Sequence, residues 1–230
     1  EGMADLFQAL LPHVDEAEEE HFDREAPDAP LQLAIVGRPN AGKSTLINKL
    51  LGENRLVTGP EAGITRDSIA IDWVWHDPNP SEPELAERRI RLIDTAGMRK
   101  RARVQEKLEK LSVADARRAV DFAEVVVLLL DATKGLEHQD LKIADHVIEE
   151  GRALIIAINK WDVAEHASSL FNGIKAALDE GLSQLKGVPV LAVSAATGKG
   201  LDQMLKAAFE ARDSWNRRVS TGQLNRWFEE

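Results

Sequence analysis

The chain has 230 residues, 43% of them hydrophobic, and a formal charge of −10. That length supports one well-buried core, and the acidity argues against a surface that grips nucleic acid as a whole, so any RNA contact has to use a local basic patch. Cysteine is absent, which excludes disulfides, thiolate metal sites and cysteine nucleophiles. The longest aliphatic run, residues 125–130, is far shorter than the roughly 20 residues that cross a membrane. With no charged-then-apolar leader at its start, the chain reads as a cytoplasmic protein with neither membrane nor DNA as partner.

Residues 1–11 have the pattern of a short amphipathic helix, with Leu6, Phe7 and Leu10 on one side and Pro12 ending it. The acidic, proline-closed stretch that follows, up to Pro30, reads as a flexible linker, and the globular domain is expected from Leu31. Strand-like runs then occupy residues 31–36, 68–75, 89–93, 125–130, 153–158 and 188–193. Helical patterns occupy 43–51, 104–120, 137–150, 167–180 and 201–212, with Gly151 and Gly181 where C-caps belong. This alternation predicts an α/β fold of three layers, a mostly parallel six-stranded sheet with helices on both faces. No helix separates the second and third strands, so they should form an antiparallel hairpin through the proline-rich loop at 77–87, giving one antiparallel strand. Ile69, Ile71, Trp73 and Trp75 alternate onto one face of the second strand, a core surface rather than a base-stacking platform. The six histidines show no metal-ligand spacing; His138 and His146 lie eight apart with no acidic partner in place and read as solvated.

Ligands bind beyond the carboxyl ends of parallel strands, and every candidate motif lies there. After the first strand, Gly37, Arg38, Pro39, Asn40, Ala41, Gly42, Lys43 and Ser44 spell GRPNAGKS, with Thr45 next. Glycines bracketing the loop let successive backbone N–H groups wrap a phosphate, and the helix that follows points its positive end at it. Lys43 is placed to reach terminal phosphates, and the Ser44 hydroxyl to ligate magnesium. After the third strand come Asp94, Thr95, Ala96 and Gly97, followed by Met98. Asp94 suits a magnesium-bound water, and the Gly97 N–H can approach a γ-phosphate. Thr65 is the candidate second hydroxyl ligand of magnesium, or simply a turn threonine.

After the fifth strand come Asn159, Lys160, Trp161 and Asp162; after the sixth, Ser194, Ala195 and Ala196. The Asp162 carboxylate can accept both N1–H and the exocyclic amine of guanine, whereas adenine presents an acceptor and no amine there. A site of this kind rejects the wrong base by roughly 10⁴-fold. Asn159 is expected to brace the neighbouring loops, the Lys160 stem to lie along the purine, and the Ala195 N–H to meet the guanine oxygen.

With these motifs in this order the sequence resembles the translation-factor-like P-loop GTPases, and within them the bacterial Der (EngA) family, which carries two tandem G domains and a C-terminal KH-like domain. GRPNAGKSTLINKLLGE, AGITRD, DTAGMRKR, VQEKLEKLSV, NKWD and VSAATGKGL are similar to the second G domain. On that resemblance residues 1–12 are the remnant final helix of a preceding G domain, 13–30 a linker, 31–214 the G domain and 215–230 the start of a KH-like domain, as in an excised fragment. The resemblance implies a P-loop GTPase fold and magnesium-dependent hydrolysis of GTP to GDP and phosphate. The implied role is a checkpoint in large ribosomal subunit assembly, with the subunit and its RNA met through the adjoining domains. It assigns catalytic roles to Lys43, Thr65, Asp94, Gly97 and Asn40. Met98 stands where Ras-like enzymes place a water-orienting glutamine, and a thioether cannot align water as an amide does, so intrinsic turnover is expected to be slow. Asn40 resembles the asparagine that ligates potassium in related GTPases, or it only shapes the turn. The basic run Arg99, Lys100, Arg101 and Arg103 could face RNA or the KH-like domain, or be an ordinary solvated helix start. Three alternatives stay open on sequence alone: a nucleotide-sensing module with negligible hydrolysis, a P-loop kinase or ATPase, and a tRNA-modifying GTPase, although no C-terminal cysteine motif supports the last.

Overall fold

The computed structural model describes residues 29–52, 57–58, 70–93, 119–181 and 187–216. The expected helices at 1–11 and most of 104–120, the linker, the basic run at 99–103 and the segment from 217 onward lie outside the described residues, as do Thr65 and the Asp94 to Met98 motif. The described elements are β1 (Leu31–Val36), α1 (Lys43–Gly52), β2 (Val57–Thr58), β3 (Ile71–His76), β4 (Glu87–Leu92), β5 (Val125–Asp131), α2 (His138–Glu149), β6 (Ala153–Asn159), α3 (Ala167–Gly181), β7 (Val190–Ala192) and α4 (Leu201–Trp215).

The central strand shows why the layers form. All seven residues of β5, VVVLLLD, are buried. Successive side chains of a strand point to opposite faces. Accordingly Val125, Val127 and Leu129 join one apolar cluster with Leu46 and Leu50 of α1 and Met204, Leu205 and Phe209 of α4, while Val126, Leu128 and Leu130 join a second with Ile143 and Val147 of α2 and Ile174 and Leu178 of α3. A strand buried on both faces reads as a near-continuous aliphatic run, here interrupted only at its last residue, Asp131.

The strands run in the order β2-β3-β4-β1-β5-β6-β7. β1 pairs in parallel with β4 on one side and β5 on the other, and β5, β6 and β7 continue in parallel. β3 alone runs against its neighbours, antiparallel to β4 and to β2. The six expected strands are thus present with one reversed, and the two-residue β2 adds a seventh at the edge, too short to leave a periodic signal. β7 is shorter than the pattern suggested because Pro189, lacking an N–H, sits just before it and contributes only its carbonyl, to the Ile156 N–H at 2.9 Å. Trp73 and Trp75 are core residues, as their alternation implied. Trp75 stacks on Phe209 with ring centroids 5.8 Å apart and donates from Nε1 to Asp202 at 3.0 Å. The register of β3 on β4 is reinforced by a two-pronged ion pair, Arg91 to Asp72, at 2.8 and 2.7 Å. Gly151, at φ +65°, ends α2 in the left-handed conformation expected of a C-cap glycine.

β1 is where the connections change direction: the chain runs from it to one side through β2, β3 and β4, then crosses to β5 on the other. Loops leaving adjacent strands toward opposite faces open a crevice at the carboxyl edge. For the core itself, Leu128→Ala should lower unfolding free energy by about 2–5 kcal/mol through lost burial and the cavity left behind. Urea denaturation should show this as a lower midpoint at unchanged slope.

Candidate nucleotide-binding site

The crevice is floored by the loop after β1. Gly37 has φ +146°, and a Cβ there would stand 2.4 Å from the Leu129 carbonyl oxygen of β5; at Gly42, φ +97°, it would stand 2.3 Å from Nδ2 of Asn159. Neither position accepts a side chain. Asn40, exposed at the turn of the loop beside half-buried Pro39, is also left-handed at φ +64°. The Lys43 ammonium donates to the Gly37 and Arg38 carbonyls at 2.6 and 2.7 Å, which pins the charge at the mouth of the loop. Ser44 and Thr45 are exposed in the first turn of α1, where unpaired N–H groups and the helix dipole favour an anion.

Arg38 departs from expectation. Its side chain, counted with the nucleotide contacts from sequence, is buried and turned away from the loop mouth. Nε donates to Asp140 at 2.9 Å, one terminal nitrogen to the Gly135 carbonyl at 2.9 Å, and the other pairs with Glu137. Each of the three guanidinium nitrogens has a partner around the start of α2, so the side chain is committed there and the backbone of Arg38 is what remains for a ligand in the loop. Asp140, with no exposed surface, also accepts the Glu137 N–H at 3.0 Å. Burial pushes its carboxyl up from the ordinary range, against the opposing pull of the Glu137 N–H and of Arg38.

The base-side loops meet through one side chain. Asn159, buried at the end of β6, donates from Nδ2 to the Ala41 carbonyl at 2.8 Å and accepts the Ala195 N–H on Oδ1 at 2.9 Å. This is the brace that the sequence led us to expect. The Ala195 N–H, expected from the sequence to meet the guanine oxygen, donates here to Asn159. The exposed Asp162 carboxylate, on a 3-10 turn at Trp161–Val163, accepts the Ser194 hydroxyl at 2.6 Å, and Ser194 in turn accepts the Thr197 N–H at 3.1 Å. A cleft of about 520 Å³ opens beside it, lined among others by Trp161, Asp162, Ser194, Thr197, Lys199 and Gln203, within the usual size range of small-molecule sites. Ala196 is exposed in the following turn. Lys160, left-handed at φ +63°, sends its ammonium to Asp131 at 2.6 Å.

Sequence reasoning passed over Asp131. Its signal was a carboxylate closing an all-aliphatic run, with a threonine two residues on, the pattern of an Asx turn. Burial pushes its carboxyl up, but the hydrogen bonds from Lys160 and Thr133 outweigh that and hold it below the usual carboxylate range. The histidine reading is corrected as well: Asp121, His146 and Glu150 bring their ligand atoms within 4.8 Å of one another, so His146 has acidic neighbours, at the amino edge of β5 and β6 away from the crevice.

These loops can be set beside known proteins. Residues 32–160 match the family described as 50S ribosome-binding GTPase. Over its whole length the chain is 68% identical to GTPase Der of Novosphingobium aromaticivorans and 53% identical to GTPase Der of a Bradyrhizobium species. The chain belongs to the Der family of GTPases. It spans about half the length of these relatives, 51% and 49%. Among solved structures it resembles Era in complex with MgGDPNP and nucleotides 1506–1542 of 16S ribosomal RNA, at 28% identity and a TM-score of 0.54, over 78% of this chain and 56% of that one. It shares the fold of elongation factor SelB from Methanococcus maripaludis, at 19% identity and a TM-score of 0.56, over 83% of this chain and 35% of that one. Membership in the Der family agrees with the resemblance drawn from the motifs, and among the described residues no helix is long and apolar enough to cross a membrane.

The contact between Gly42 and Asn159 gives this Der-family site a sharp test. Gly42→Ala should cost more than about tenfold in affinity for fluorescent GDP, because the methyl group both strains the backbone and displaces the Asn159 amide. Gly52→Ala, at the end of α1 with no described residue within 4 Å of its added carbon, should bind as the unmodified chain does.

Proposed function

We propose that the chain binds GTP and hydrolyses it to GDP and phosphate as a cytoplasmic conformational switch in large ribosomal subunit assembly. The observation that supports this best is the Asn159 bridge, which ties the phosphate loop to the Ala195 turn beside a carboxylate already oriented by Ser194. In this reading Asp162 accepts the two donors of the guanine edge, the Lys160 stem covers one face of the ring, and Ala195 with Ala196 borders the guanine oxygen. The backbone of the Gly37 to Ser44 loop wraps the phosphates, and Lys43 delivers its charge to them from its seat on the loop carbonyls.

The donor set suits a hard cation. The Ser44 hydroxyl stands at the helix start beside the loop, and with Thr65, and with Asp94 through water, it would hold magnesium through oxygen alone. When bound, that ion neutralises phosphate charge. Gly97 would offer its N–H to the γ-phosphate, flanked by Thr95, Ala96 and Met98. Met98 has no group to orient water, so slow intrinsic turnover is part of the proposal. Asn40, exposed and left-handed at the loop turn, would offer its amide oxygen to potassium.

Residues 31–214 would form the G domain, joined in the intact protein to a preceding G domain through 1–30 and to a KH-like domain beginning near 215. Der-family relatives carry the name GTPase, and Era, a solved relative, holds a magnesium-bound GTP analogue and ribosomal RNA. Contact with the large subunit and its RNA would run through the adjoining domains, which suits the acidic charge of this chain.

Two measurements test the proposal. Asp162→Asn replaces an acceptor with an amide that can donate to the extra oxygen of xanthine, so preference should move from GTP toward XTP; unchanged GTP affinity would refute the role of Asp162. Hydrolysis at equal ionic strength should run faster in potassium chloride than in sodium chloride, and equal rates would remove Asn40 from the metal ligands.

A further inference from the structure

The motifs that define the phosphate and base loops leave the Asp131 carboxylate unexplained. It closes β5 at 3% exposure, directly opposite Asn159 in the parallel pairing with β6, and the Ala132 N–H donates to the Asn159 carbonyl at 2.9 Å. Strand pairing therefore carries this carboxylate alongside the base loop. One oxygen, Oδ1, accepts the Thr133 N–H at 2.9 Å and the Thr133 hydroxyl at 2.7 Å, which fixes the plane of the group. The other, Oδ2, receives the Lys160 ammonium at 2.6 Å.

We propose that Asp131 is a positioning residue for purine binding, holding the Lys160 ammonium so that the side-chain stem lies ready as an apolar shelf for one face of the base. The proposal rests on the guanine-nucleotide reading above. A lysine stem has many rotamers, and confining it to one costs entropy. Because the ion pair confines it within the folded protein, the base meets a shelf already formed and binding carries less of that cost. The left-handed backbone at Lys160 points to the same constraint: an uncommon conformation for a non-glycine residue, kept where the surrounding contacts hold it. Asp131 itself touches no ligand; its action passes through Lys160.

A double-mutant cycle with fluorescent GDP on the full 230-residue chain separates this role from a merely structural one. Asp131→Asn should weaken binding about tenfold, chiefly by faster release, and Lys160→Met by a similar factor. In the Lys160→Met background Asp131→Asn should add less than about twofold, since the ammonium it positions is gone. Losses that multiply in the double variant would overturn the proposal, because Asp131 would then act on the fold and not through Lys160. Wild-type affinity in Lys160→Met alone would instead count against the purine placement on which the guanine reading depends, and the proposal would fall with it. Should Asp131→Asn not fold, Thr133→Val takes its place in the cycle, loosening the same carboxylate from its other oxygen, with the same non-additivity expected.

Discussion

The Asn159 carboxamide is the contact on which the site depends. Its nitrogen holds the phosphate loop at Ala41 and its oxygen holds the turn at Ala195, so two segments more than 150 residues apart in the chain meet across one side chain. The group is buried, and a buried amide left unpaired costs about 1–3 kcal/mol, as does each backbone group it abandons. Cutting this bridge would strand two backbone partners at once, the Ala41 carbonyl and the Ala195 N–H. The bridge also explains Gly42 beyond the demands of phosphate: a Cβ there would lie 2.3 Å from the Asn159 nitrogen, so the loop has no side chain at the point where the amide must pass. Loop backbone and strand-end amide are thus one device.

A second brace starts at the last residue of β5 and runs into the segment that follows. Its first residue, Asp131, holds Lys160 on the base side; farther on, the Gly135 carbonyl, Glu137 and Asp140 hold Arg38 on the phosphate side. Charges taken out of water gain little over an apolar contact of the same shape, but removing one partner leaves the other exposed to the full penalty. Such pairs add definition more than stability. Here they define the distance between the two loops, at the crevice where connections from β1 and β5 leave for opposite faces of the sheet.

Much of this was legible in the chain because the signals are local. An unbroken aliphatic strand such as β5 announces burial on both faces, apolar residues at helical spacing in α4 announce one packed face, and the NKWD and SAA segments each follow a strand, which by itself places them at the carboxyl edge. What could not be read is the direction taken by long polar side chains. Arg38 sits among loop residues in sequence, yet its partner Asp140 lies 102 positions away and reaches it only because β1 and β5 are neighbours. The Ala195 N–H and the Asp131 carboxylate were hidden likewise, since hydrogen-bond partners brought together by topology leave no periodicity. β2, two residues long, leaves none either.

The placement of Lys43 and Asp162 bears on how a switch can work. Lys43 is seated on the Gly37 and Arg38 carbonyls and Asp162 is oriented by Ser194, so the protein's own contacts fix both groups, and a group already fixed lowers the cost of binding. Contacts to the base and to the inner phosphates are the same for GTP and GDP. A ligand shifts a conformational equilibrium only by its differential affinity for the two states, however tightly it binds. The braced half of the site would therefore, under the proposed function, supply affinity and base selectivity but no switching. Under the proposed function, the discrimination between GTP and GDP has to come from groups that meet the γ-phosphate alone. The candidates that the sequence offers for that role are Thr65 and Gly97, which lie outside the described residues, while the two braces would give the other side of the nucleotide a rigid frame.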